Sequence, residues 1–301
     1  MNQPFIQYSN CPICNSSNIS LSLSAIDYTV SQQTFEVWEC AECTARFTQK
    51  IPDAQHIGPY YQSENYISHS DTQKGLINAL YHYVRSITLQ QKRKFIEKIT
   101  KGETKTLLDV GAGTGAFANT MHLAGWQVTG VEVDEGARNI AKNKYQIDLH
   151  NLEQLQQLQP ASYQVITMWH VLEHVHDLHG YMQNFYKALK PGGELIIAVP
   201  NYTSYDAQYY QQYWAAYDVP RHLYHFSPKS MLWLAQRHQF TIQQYKAMPF
   251  DSFYVAMLSE KYKQGKNNLL KAFWVGLLST LHALQSVKKC SSVIYVLQKS
   301  R

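Results

Sequence analysis

The chain has 301 residues, of which 45% are hydrophobic and 16% charged. That exceeds one typical domain of roughly 100–200 residues and can bury a real core, which excludes a disordered tail protein. No apolar run approaches the roughly 20 residues that cross a bilayer, so an integral membrane protein is excluded too.

Charge is placed unevenly. The net is +5, yet residues 261–301 hold eight Lys or Arg and no acid, which leaves the remainder at −3. A nucleic-acid binder spreads positive charge over a face or several helices. A basic C-terminal end on a mildly acidic body argues against DNA and disfavours RNA. Met1-Asn2-Gln3-Pro4-Phe5 lacks a basic start followed by an apolar stretch, so a cytoplasmic location is expected.

Four of the five cysteines fall in two identical spacings, Cys11-Pro-Ile-Cys14 and Cys40-Ala-Glu-Cys43. Two thiolates separated by two residues wrap one ion through a tight turn, and two such turns complete a tetrahedron. Phe35, Val37 and Trp38 before the second pair, and Phe47 after it, fit short flanking strands. A thioredoxin-like pattern is missing, and an export signal that would favour disulfides is not visible. Residues 1–50 therefore read as a zinc ribbon whose Zn2+ is structural, with all four positions filled by protein. Cys290, before an apolar strand, reads as a buried inert thiol.

Residues 51–102 read as a linker and a helix. The polar stretch from Ile51 to Thr72 carries Tyr60, Tyr61, Tyr66 and His69, of which Tyr66 and His69 are candidate acceptor contacts. From Lys74, apolar residues at helical spacing (Leu76, Ile77, Leu80, Val84, Ile87, Phe95, Ile96, Ile99) predict a helix closed by Gly102. Strands and helices then alternate over 103–301. Strands are expected at Thr106–Val110, Gln127–Val131, Ile147–Leu149, Tyr163–Met168, Glu194–Val199, Phe240–Tyr245 and Ser292–Leu297. Helices are expected at Ala116–Ala124, Glu135–Lys144, Leu178–Leu189 and Lys229–His238. The pattern predicts a doubly wound, Rossmann-like α/β domain with a seven-stranded sheet.

Leu107-Leu-Asp-Val-Gly-Ala-Gly-Thr-Gly-Ala116 places three glycines between the first of these strands and the next helix. Glycine lets the chain turn tightly and a ligand approach the backbone, and the helix start supplies free N–H groups. The loop also satisfies a dinucleotide fingerprint, with Glu132 about 20 residues on, where a ribose-binding acid belongs. Asp109, just before the glycines, is awkward beside a pyrophosphate but suits a cationic ligand bearing an ammonium and a sulfonium. Lys190-Pro-Gly-Gly193 introduces the strand at 194, after an acidic and histidine-rich segment.

With Val-Thr-Gly-Val-Glu132, Trp169-His-Val-Leu-Glu-His-Val-His-Asp177 and Leu-Lys-Pro-Gly-Gly-Glu194, residues 106–200 resemble a class I S-adenosylmethionine (SAM)-dependent methyltransferase domain. The whole chain resembles a bacterial group in which such a domain follows a zinc ribbon, and its Glu-His-Val segment is similar to that of ubiquinone-biosynthesis O-methyltransferases. The resemblance implies that Asp109, Gly111 and Gly113, with Gly115 completing the loop, line the methionine part of SAM. It implies that Glu132 accepts the ribose hydroxyls, that Val133 flanks the adenine and that Asn151 and Leu152 approach its amino edge. Trp169 and His170 would lie beneath the cofactor. The Asn/Asp-Pro-Pro-Tyr/Phe motif of DNA aminomethylating enzymes is replaced here by Trp169-His-Val-Leu172, which argues against base amino groups as targets.

Transfer to a hydroxyl needs a general base, most often His. His170 is the leading candidate, with Glu173 and His174 beside it. These two either hold a divalent metal at the active site, which would acidify a catechol-type hydroxyl, or brace the loop. Nine aromatics within 202–226 form an insertion (201–227) that reads either as a substrate lid or as helix packing. Tyr217, Arg221 and His222 are its candidate acceptor contacts. A second, helical insertion (253–288) contains Leu269–Leu284, whose Leu270, Phe273, Trp274, Leu277, Leu278, Leu281 and Leu284 share one face flanked by lysines. That face packs on the domain, on a second subunit as a homodimer, or on the inner face of a membrane as a peripheral contact. The acceptor is expected to be a small or lipid-linked molecule methylated at oxygen. A nucleotide-sugar C-methyltransferase, an RNA-modifying protein and a non-catalytic SAM-binding regulator remain the alternatives.

Overall fold

The structure, a computed structural model, describes residues 5–62, 76–100, 104–266 and 268–299, apart from the side chains of 76–85. Tyr66 and His69, and the expected helix start at Lys74, lie outside the described residues. The chain begins with β1 (Phe5–Ile6), β2 (Ile19–Ile26), β3 (Thr34–Cys40), β4 (Arg46–Thr48) and β5 (Ile51–Pro52). Next come α1 (Leu76–Ile99), β6 (Thr106–Val110), α2 (Ala116–Leu123), β7 (Gln127–Val131), α3 (Glu135–Tyr145), β8 (Tyr163–Trp169), α4 (Leu178–Ala188) and β9 (Leu189–Pro200). The remainder is α5 (Tyr205–Tyr210), β10 (Tyr224–His225), α6 (Pro228–Arg237), β11 (Phe240–Ala247), α7 (Asp251–Gln264), α8 (Leu269–Gln285) and β12 (Ser292–Lys299).

The large sheet is α/β in type and mixed, mostly parallel, with the order β11-β12-β9-β8-β6-β7. β6 runs parallel to both neighbours, which sets Asp109 level with Gly130 on β7 and Thr167 on β8. Leu107, Leu108, Val165, Ile166, Ile196 and Ile197 are fully buried, as strands covered on both faces require. Among the described residues the sheet has six strands where seven were expected. Residues 147–149 form no strand, because the chain there is still closing α3. Gln146 adopts φ +57°, and the Ile147 amide donates back to Ala141. Only His150 reaches the sheet, through a single bridge to Val131.

The chain divides into two compact units, the first built from residues within 1–66, 170–178 and 197–297, the second from residues within 67–169, 179–196 and 298–301. In the first, a four-stranded sheet has the order β10-β4-β3-β2. Its fourth strand comes from Tyr224–His225, so the cysteine-rich segment is completed by chain far downstream. One apolar cluster joins Ala25, Phe35 and Val37 to Tyr210, Trp214 and Tyr217. The aromatic insertion is therefore core: Tyr210 is 0% and Phe226 1% exposed, and the lid expectation gives way to packing.

α8 packs with the opposite face to the one its leucines suggest. Ala272, Val275, Gly276, Ser279 and Ala283 are buried, whereas Leu270, Phe273, Trp274 and Leu284 are exposed. The small side chains let α8 approach α7 closely: a Cβ on Gly276 would stand 2.8 Å from the Phe253 ring and 3.0 Å from its Cα. The ring can turn but the backbone cannot. We expect Gly276→Val to lower stability by about 1–3 kcal/mol in urea denaturation. Gly276→Ala should lose less, because alanine gains about 1 kcal/mol of helix propensity over glycine.

Candidate active site and cysteine cluster

The glycine loop is held by a carboxylate. Glu132, at the end of β7 and 8% exposed, accepts the Gly113 amide on one oxygen at 2.7 Å and the Asp134 amide on the other at 3.0 Å. Each oxygen keeps a second lone pair for a ligand hydroxyl. Gly111, Gly113 and Gly115 all have positive φ, and at Gly113 an added Cβ would meet nothing within 4 Å, so the loop opens onto free space. Gly115 is confined instead: a Cβ there would lie 2.8 Å from Ala141 on α3. Asp109 is buried and accepts the Thr167 hydroxyl at 2.7 Å. Burial pushes its carboxyl up to about 7 against the opposing pull of Thr167 and Lys92.

The flanks of this loop are apolar and open. Val133 is 67% and Leu152 40% exposed. The segments that carry them run together, because the Glu132 amide donates to His150. The Asn151 side chain is exposed and donates to Glu153 at 3.4 Å. Trp169, the last residue of β8, stands edge-on to Phe117 with the Lys92 ammonium 4.1 Å over its ring, and its buried indole N–H has no hydrogen-bond partner among the described residues.

His170 follows directly with φ +57°, a conformation that non-glycine residues hold only where surroundings enforce it. Here two carboxylates do. His170 Nε2 lies 3.0 Å from Asp251 Oδ2 and Nδ1 lies 3.5 Å from Glu173 Oε1. Burial would lower the imidazole, but the bonds to Asp251 and Glu173 outweigh it and raise it to about 10. A protonated imidazole cannot accept a proton, so this environment argues against His170 as a base.

Glu173 is 1% exposed, and beyond the 3.5 Å approach of His170 Nδ1 its carboxylate oxygens have no hydrogen-bond partner among the described residues. Burial opposes its ionisation, yet His170 and His222 hold it below the usual carboxylate range, so it stays an anion. His174 and His222 pack edge to face at 4.6 Å. His174 Nδ1–H points at the Arg221 carbonyl and the Tyr61 hydroxyl, each 3.0 Å away, and His222 Nδ1–H donates to the Ala216 carbonyl at 2.8 Å. Backbone carbonyls thus orient both rings and fix the tautomer of His174, leaving its Nε2 as a lone-pair donor. Burial, and His222 beside it, push His174 down to about 4, so it is neutral at physiological pH. Glu173, His174 and His222 each bring one donor atom within 4.8 Å of the others. That donor set fits a divalent cation.

Arg221 and Tyr217, expected as acceptor contacts, are buried and bonded within the protein. The Arg221 side chain is fully buried and donates to Asp218 at 2.6 and 3.0 Å, to Asp27 at 3.0 Å and to the Tyr60 carbonyl at 2.7 Å. Tyr217 is 2% exposed, and its hydroxyl accepts from Arg46 at 2.7 Å. Both belong to the interior because the insertion carrying them is core. Asp251, Asp218, Asp27 and Tyr61 complete this network and were missed in the sequence. Only the three-residue spacing of Asp218 and Arg221 offered a signal there.

Cys11, Cys14, Cys40 and Cys43 converge, with Sγ–Sγ distances of 3.5 Å for Cys11–Cys43 and for Cys14–Cys40, and all four sulfurs within 4.8 Å. Four thiols in that volume suit a tetrahedral ion at roughly 2.3 Å from each sulfur. Cys290 is buried, and burial pushes its thiol up to about 11, so it is inert.

Residues 81–245 match the family described as a methyltransferase domain. The ubiquinone biosynthesis O-methyltransferase of Idiomarina loihiensis is 39% identical over 115 residues, 36% of this chain and 47% of that one. The enzyme of the same description from Hydrogenovibrio crunogenus is 33% identical over 121 residues, 37% of this chain and 50% of that one. The chain thus spans about half the length of these curated relatives. A SAM-dependent methyltransferase from Archaeoglobus fulgidus is similar at a TM-score of 0.48 and 16% identity, covering 71% of this chain and 94% of that one.

Two outcomes test this geometry. Arg221→Leu should destabilise the fold by about 3–5 kcal/mol in urea titration, because Asp27 and Asp218 are left without their cation. The second concerns pH. His170 titrates near 6.5 when unfolded and about 10 when folded, so its contribution is complete below the first value and lost as pH rises through the second. Melting temperatures taken across that window should fall less steeply for Asp251→Asn than for the wild type.

Proposed function

Because the chain belongs to the methyltransferase-domain family of SAM-dependent enzymes, we propose that it transfers the methyl group of SAM to a hydroxyl oxygen of a small or lipid-linked acceptor. The observation that carries the oxygen reading is the segment leaving β8, where anionic Glu173 lies between two imidazoles, His170 and His174, held in opposite protonation states. Support for oxygen also comes from the relatives described as O-methyltransferases, which this chain matches over part of their length.

In this reading Asp109, Gly111, Gly113 and Gly115 take the methionine part of SAM, and the free lone pairs of Glu132 take the ribose hydroxyls. Val133 and Leu152 offer exposed apolar surface for the adenine, with Asn151 at its edge. Trp169 supplies a ring face and a buried indole N–H at the end of β8. The acceptor oxygen attacks the methyl carbon as the carbon–sulfur bond breaks, so S-adenosylhomocysteine leaves and the hydroxyl proton must be taken up. Neutral His174 is the group able to take it. Protonated His170, clamped by Asp251, fixes Glu173 in its buried position.

A second reading adds a cation, and the buried Glu173 oxygens favour it. Glu173, His174 and His222 would hold that ion, which when bound would act as a Lewis acid on the acceptor hydroxyl. Cys11, Cys14, Cys40 and Cys43 would hold a structural Zn2+ that stabilises the small sheet.

Calorimetric titration of the zinc-loaded protein with SAM, S-adenosylhomocysteine and NAD tests the cofactor assignment. Both adenosyl ligands should bind. Glu132→Ala should weaken them by roughly 10–100-fold, as loss of a charged hydrogen bond worth about 1.5–3 kcal/mol implies. Binding of NAD alone would overturn the reading.

A further inference from the structure

α8 carries an apolar face that the described residues leave exposed. Leu270, Phe273, Trp274, Leu278, Leu281 and Leu284 project along one side of the helix and are all exposed, Leu270 and Leu284 at 78% and 79%. The opposite side is occupied by the small residues packed toward α7, so turning the helix to bury its leucines would require withdrawing that close contact. Scattered exposed leucines need no explanation, but a continuous stripe containing Phe and Trp does. Among the described residues no helix is long and apolar enough to cross a membrane.

The charges around the stripe select its partner. Lys261, Lys263 and Lys266 stand exposed before it, and Lys288 and Lys289 stand exposed after it. No Asp or Glu occurs from residue 261 to the end of the chain. The two acids of α7 are engaged elsewhere: Glu260 is fully buried against Tyr210 and Lys271, and Asp251 pairs with His170. A symmetric dimer through this stripe would set lysines of one copy against those of the other, with no carboxylate from this segment between them. A layer of anionic lipid headgroups satisfies the lysines and the apolar stripe together.

We infer that α8 is a peripheral membrane anchor, lying in the headgroup plane of an anionic bilayer with its Leu/Phe/Trp face in the acyl boundary and its flanking lysines on the phosphates. The inference rests on this surface alone and does not depend on which acceptor is methylated.

Co-sedimentation of the full chain with phosphatidylcholine vesicles, with and without phosphatidylglycerol, tests it. The wild type should partition at least about tenfold more strongly onto the anionic vesicles, and high salt should reverse much of that gain. The triple variant Phe273→Ser/Trp274→Ser/Leu281→Ser should lose at least about tenfold in partitioning. Its SAM titration should be unchanged and its melting temperature should fall by no more than about 4–8 °C, because the three side chains are at least half or nearly half exposed and Phe273 gives up only its ring contact with Phe253. That pair of controls separates failure of the anchor from failure of the methyltransferase reading. Absence of the wild type from anionic vesicles, or undiminished binding by the triple variant, would overturn the inference. So would a wild-type dimer in sedimentation velocity that the triple variant converts to monomer, since the stripe would then be covered by a second copy.

Discussion

The first unit is organised around one buried cation. The Arg221 side chain has no solvent access, and its donors reach two carboxylates and a carbonyl from three separate stretches of chain: Asp27, Asp218 and Tyr60. Guanidinium geometry makes that possible, because its planar fork can serve several acceptors at once where a lysine would serve as a point charge. The consequence reaches the site directly. The carbonyl of Arg221 accepts from His174 Nδ1, and the next residue is His222. The charge pair that ties the β2–β3 turn to the 218–222 loop therefore also fixes the tautomer of one imidazole and the position of another.

The same economy explains the cysteine-rich segment. A sheet of three short strands buries little by itself. Here β10 extends that sheet, and aromatic side chains from 202–217 fill the space against Phe35 and Val37. Zinc at the four cysteines would thus brace a part of a larger core, and a small module folding independently is not what the packing describes.

Most of the alternating α/β pattern was legible in the sequence, because strands covered on both faces leave continuous apolar runs and the glycine loop marks the turn between β6 and α2. The cysteine spacing was equally direct, since geometry within four residues determines how a pair can wrap an ion. What could not be read depends on distance in the chain. Nothing near His170 in sequence announces Asp251, and without it the imidazole looks like a base. The aromatic insertion read equally as lid or core, since both uses demand the same composition. For α8 the pattern left three partners open, because its large apolar face dominates the helical periodicity, while close packing is governed by the small residues opposite, which contribute little to that pattern. The strand expected at 147–149 failed because those few residues close α3 by backbone bonds that periodicity does not register.

Electrostatics gives the site its asymmetry. Two histidines four residues apart would titrate alike in water. Burial lowers both, but His170 receives two carboxylates, whereas His174 receives a backbone carbonyl and the edge of a third imidazole. The first is held as a cation and the second as a neutral base. Environments that push like groups to opposite sides of neutrality mark acid and base roles in active sites. Glu173 belongs to the same arrangement. A buried carboxylate is costly, and it remains ionised because protonated His170 beside it supplies the opposing charge. Remove the Asp251 pairing and the balance shifts for His170 and Glu173 together, so these groups behave as one coupled set joining the 170–174 segment to the first turn of α7.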